Sequence, residues 1–166
     1  MPERAALGIR IDASDLTKVA RVLRQQGDGK QLRKDLVADL KTAVDPGVQA
    51  VRGKLLAMPA AVAPGSPPMG SYVASKVRSQ VRLSGQRAGV AVRIPQTPQL
   101  RGFTFAARRL NATHWRHPVF RTGRWVTQRS PITGYFDETL AAGKPRYQAA
   151  VMEVLRKLAE RLAARR

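Results

Sequence analysis

The stretch HWRHPVFRTGRWVTQRS, residues 114–130, decides whether this chain is all-helical or mixed. It holds both histidines, both tryptophans and four arginines, with no acid. Aromatic and β-branched residues around a central glycine have the composition of a strand or hairpin. Taken as strands, residues 114–128 place the chain in the α+β class, because the long apolar patterns elsewhere have helical spacing.

A second hairpin is expected upstream. Val81–Ser84 forms one arm, GQRAG at 85–89 the turn, and VAVRI at 90–94 the other arm, bounded by Gly89 and Pro95. The alternation in GIRID predicts a short strand over Gly8–Asp12. Ser14 and Asp15 open a helix carrying Leu16, Val19, Ala20 and Leu23 on one face, with Gly27 and Gly29 at its end. A longer helix is expected over residues 30–58. Its stripe runs Leu32, Leu36, Leu40, Val44, Val48, Val51 and Leu55, with a kink or restart at Asp45-Pro46-Gly47. Ser71–Ser79 reads as either helix or strand. After the turn PITGYF, a final helix carries Tyr147, Ala150, Val151, Val154, Leu155, Leu158 and Leu162. Residues 58–71, rich in proline, and 95–113 read as extended loops. The expectation is one domain over 1–166. A small antiparallel sheet, built from the central hairpin and 114–128, would pack under the long helix and the C-terminal helix.

Composition narrows function. With 166 residues, 43% of them hydrophobic, the chain suits a folded domain. It has no cysteine, which excludes disulfides, thiolate metal sites and a cysteine nucleophile. No run approaches the roughly 18 apolar residues of a membrane span, and the charged N-terminus MPERAALGIR lacks a signal core. The net charge is +19, and its layout matters more than its size. Between Pro46 and Phe136 there is no Asp or Glu, against fourteen Lys and Arg. Such a field attracts polyanions, either nucleic acid or acidic protein faces.

His114 and His117 fall short of the three or four ligands zinc needs, and neither a thiolate nor a nearby carboxylate can complete the set. No nucleophile elbow or phosphate-binding glycine loop is present, and Asp137-Glu138 suits a helix start for dipole reasons alone. No enzyme activity and no cofactor are expected. Arg101, Arg108, Arg109, Arg116, Arg121, Arg124 and Arg129 interleave with Phe103, Phe105, Trp115 and Trp125. That mixture suits backbone contacts with base stacking. Against this, only nine aromatic residues exist, and a domain of this size needs some of them in its core.

One resemblance is more specific. Trp115, His117, Pro118, Val119 and Phe120, then Trp125, then Pro131, Gly134, Tyr135 and Phe136, then the closing amphipathic helix, follow in order. This succession resembles a family of tailed-phage tail-completion and head–tail connector proteins. The resemblance implies a non-catalytic virion protein of the neck, assembled in the host cytoplasm. It would form a hexameric ring between head connector and tail, touching head-closure and tail-terminator neighbours, with genomic DNA in the channel and no membrane. On this reading Trp115, Pro118, Val119, Phe120, Trp125 and Phe136 are core or subunit-interface residues, and the seven arginines meet DNA or acidic partners. A tail-terminator ring and a basic nucleic-acid-binding module are the alternatives.

Overall fold

The computed structural model describes residues 5–12, 15–25, 27–59, 68–85, 88–95, 105–118 and 122–164. The fold is α+β, as the mixed helix and strand patterns require. In chain order the elements are β1 (Ala5–Asp12), α1 (Asp15–Arg24), α2 (Gly29–Leu56), α3 (Met69–Lys76), β2 (Arg78–Arg82), β3 (Gly89–Pro95), α4 (Ala106–Asn111), β4 (His114–Pro118), β5 (Trp125–Arg129) and α5 (Asp137–Ala163).

The chain gathers into two compact units, each drawn from three separate segments. One unit comprises Met1–Gly8, Ala50–Val77 and Arg93–Ala141, and the other Ile9–Gln49, Arg78–Val92 and Ala142–Arg166. The second unit contains α1, most of α2, the β2–β3 hairpin and most of α5. Its core includes Leu16, Leu23, Leu36, Leu40, Val90 and Leu155, all buried. The first unit contains α3, α4, the β4–β5 hairpin and the start of α5. Val51, Leu55, Val73, Leu110, Phe136 and Leu140 are buried there.

The long-helix stripe holds throughout: Leu32, Leu36, Leu40, Val44, Val48, Val51 and Leu55 are all buried. The helix does not restart at Pro46, which sits inside α2. Proline removes one backbone hydrogen bond there, but the buried Val44 and Val48 on either side hold the same face inward. α5 likewise runs through Pro145, with Leu140 and Tyr147 buried on the two sides. Asp137 and Glu138 occupy its first turn, where the helix dipole favours acids.

The sheets correct the expected topology. The two hairpins do not merge into one sheet. β3 is the centre of a three-stranded sheet ordered β1-β3-β2, while β4 and β5 pair alone. The edge of β3 opposite β2 is taken by β1, so that edge is not open to β4 or β5. β2 and β3 are joined by residues 83–88, too short a connection for a parallel crossover, so they run antiparallel. Residues 71–79 turn out to be both alternatives in succession, helix to Lys76 and strand from Arg78. The expected loop at 95–113 contains α4, whose Ala106, Ala107 and Leu110 are buried. Three apolar residues in so short a helix leave no periodicity to detect, yet their burial suffices to order it. α3 similarly begins at Met69, inside the expected 58–71 loop, whose residues 60–67 lie outside the described residues.

Candidate functional site

β4 and β5 pair antiparallel, with His114 opposite Arg129, Trp115 opposite Gln128, Arg116 opposite Thr127, His117 opposite Val126 and Pro118 opposite Trp125. Opposed residues share a face, and successive residues alternate between faces. One face therefore carries His114, Arg116, Trp125, Thr127 and Arg129. All five are exposed. The other face carries Trp115, Val126 and Gln128. Of these only Trp115 is half-buried, and the Arg109 guanidinium of α4 lies 5.6 Å from its ring centroid.

Of the two alternatives the sequence offers for Trp125, core or subunit interface, the core one does not hold within a single chain, since 58% of it is exposed. Among the described residues every residue of β5 is exposed. Arg116 lies over its indole, 5.9 Å from the ring centroid, a cation–π contact at the outer limit of useful range. Because the ring fills no cavity, Trp125→Ala should leave unfolding free energy within about 0.5 kcal/mol of the parent, read by a urea titration.

Phe136 meets the expectation of a core residue, at 0% exposure. Val119, Phe120, Arg101 and Arg121 lie outside the described residues, as do the side chains of Pro118 and His117. Arg108 is exposed on α4, and Arg124 is exposed beside β5. Among the described residues, no carboxylate forms an ion pair with Arg108, Arg116, Arg124 or Arg129, whereas on α5 Arg156 joins Glu153 and Glu160. Hydrogen bonding by Arg156 holds the Glu153 carboxyl below its ordinary range.

A set of hydrogen bonds anchors the hairpin, organised by Ser130 and Asn111, neither of which the sequence marks as a site. Ser130, just after β5, is a buried polar residue whose Oγ donates to the Leu110 carbonyl. Its backbone N–H donates to the Thr113 carbonyl at 3.0 Å. Asn111, the last residue of α4, caps α5 from a distance. Its Oδ1 accepts from the Phe136 N–H at 2.9 Å and the Asp137 N–H at 3.4 Å, while its Nδ2 donates to Asp137 Oδ2 at 2.6 Å. Phe136 is a poor N-cap residue, so Asn111 supplies the oxygen a local cap would provide. The Gly134 N–H donates to the Asn111 carbonyl at 2.9 Å, with Gly134 at φ 70°, where glycine is favoured. The Tyr135 hydroxyl donates to the Ala107 carbonyl at 3.2 Å, and burial, with Asp137 nearby, pushes it above its ordinary value of 10.0. Asn111→Ala should cost about 1–3 kcal/mol, visible as a lowered thermal midpoint with no change in the hairpin's exposed face.

Chemically, the exposed face can hold an anion or a π-system. It offers guanidinium donors, an imidazole and an indole, and no carboxylate. Beside it, Arg129 shares an open groove with Lys54, Ser130, Thr133, Glu138 and Thr139. Among the described residues there is no group of three or more His, Cys, Asp or Glu placed to hold a metal ion, and no helix long and apolar enough to cross a membrane. No protein-family model, curated protein or solved structure matches the chain.

Proposed function

We propose that this chain is a structural subunit of the head–tail junction of a long-tailed phage, acting by docking and not by chemistry. The observation that carries the docking role is the β4–β5 hairpin. It carries an acid-free face of arginine and tryptophan that is exposed among the described residues. An indole more than half exposed beside arginines is available to a partner, and aromatic and arginine side chains are enriched at interfaces. Support for the setting comes from the ordered succession of Trp115 to Phe120, Trp125, Pro131 to Phe136 and the closing helix, which resembles the neck proteins of such phages. Copies of the chain would form a ring through unlike patches, since a ring needs one surface to meet a different one on its neighbour. Acids are confined to the two ends of the chain, and the middle has none, so unlike patches are available.

Gold-labelled antibody against the chain, applied to the virions that encode it, tests the setting. Label at the junction of head and tail is the expected result. Label confined to the capsid or tail tip, or none on the particle, would overturn it.

A further inference from the structure

Charge bears on what the hairpin meets. Each copy carries +19, and fourteen of its cations lie in the acid-free middle. Contacts between copies through unlike patches leave that net excess in place, because every cation brought by one copy is brought by all.

Several of the described acids are already engaged within the chain. Asp35 accepts from Gln31 at 2.7 Å and Asp45 from Gln49 at 3.3 Å. Asp137 is held by Asn111, and Glu153 and Glu160 are held by Arg156. The exposed arginines Arg116, Arg124 and Arg129, by contrast, have no carboxylate partner among the described residues. These exposed arginines are open to an anionic partner.

We propose that the face formed by His114, Arg116, Trp125, Thr127 and Arg129, with Arg124 beside it, binds the phosphate backbone of nucleic acid without regard to sequence. The inference rests on the hairpin being the docking surface and names its partner. A two-stranded ribbon is narrow enough to enter the major groove of a duplex, about 12 Å wide. Guanidinium forks match phosphate oxygens in pairs. Arg116 is already held over Trp125, so less side-chain freedom is lost when it engages. Phosphate contacts of this kind position a protein on DNA and carry no base preference.

The test is equilibrium binding of the full chain to random-sequence duplex DNA across about 50 to 200 mM salt. Three proteins are compared: the parent, the triple variant Arg116→Gln, Arg124→Gln, Arg129→Gln, and a control triple Arg33→Gln, Lys34→Gln, Lys41→Gln. The control removes the same charge from exposed positions on α2. The parent should bind with a steep salt dependence. Each phosphate contact contributes about 0.9 to the slope of log K against log salt, so the hairpin triple should flatten it by roughly 2.7 and weaken binding by at least about tenfold.

The control should change the slope far less, and lysine placed at the three hairpin positions should retain most of the parent's slope. All five β5 side chains are exposed, so unchanged circular-dichroism melts will show that the variants are folded. Equal losses from the two triples would overturn the proposal, because the charge would then act diffusely. So would no duplex binding at low salt, or polyglutamate binding as tightly as duplex with the same sensitivity to the hairpin triple, which would make the partner an acidic protein. The neck reading fails separately. Duplex binding by a chain absent from the junction removes only the setting, and junction label without duplex binding removes only this inference.

Discussion

Phe136→Ala lowers the unfolding free energy by about 3–5 kcal/mol, the largest loss expected from a truncation in this chain. Phe136 heads the fully buried side chains by volume, at 0% exposure, so truncation leaves a cavity that neighbouring helices cannot readily close. Its backbone also matters. Its N–H is held by Asn111 Oδ1, and its carbonyl accepts the first bond of α5 from the Leu140 N–H at 3.0 Å. These bonds survive the substitution, so the loss reports packing alone. Phe136→Leu retains most of the volume and should cost under about 1.5 kcal/mol. Urea denaturation of both variants checks the pair, and equal losses would show that volume at this position is not what counts.

Gly70→Ala is the second large effect, about 3 kcal/mol destabilising. Gly70 lies in the first turn of α3, and a Cβ there would overlap the Leu55 carbonyl oxygen and come within 3.3 Å of Met58 Cε. The methionine tip can move, but the α2 backbone at Leu55 cannot without breaking the end of its helix. Gly53 gives the contrasting result. It is exposed within α2, and an added Cβ meets nothing within 4 Å. Gly53→Ala should therefore stabilise by about 0.5–1 kcal/mol, the ordinary helix-propensity gain. The same chemical change should thus move thermal midpoints in opposite directions at positions seventeen apart in sequence, as a single melting series on both variants will show.

Local patterns were legible in the sequence, and long-range ones were not. The α2 stripe from Leu32 to Leu55 could be read because helical period is a property of neighbouring residues, and all seven positions are buried. Both hairpins were legible from β-branched and aromatic runs around glycine. Whether they joined was not, because that depends on which strand takes the open edge of β3, and β1 lies some eighty residues away in sequence. For Trp125 the sequence left core and subunit interface both open. Its 58% exposure depends on how distant segments pack, which composition does not encode. Asn111 carries no motif. It acts on amides twenty-five and twenty-six residues onward, so only the folded chain displays it as a cap. The arginines of the hairpin were legible as a group. Their division between Arg109, which covers Trp115, and Arg116, Arg124 and Arg129, which face outward, required the strand register.

One averaged electron-microscopy map of intact particles tests the docking role most directly. The hairpin should lie in the junction between head and tail with its Arg116, Trp125 and Arg129 face against a neighbouring molecule. A map with the chain elsewhere, or with that face open to solvent in the assembled particle, would contradict it.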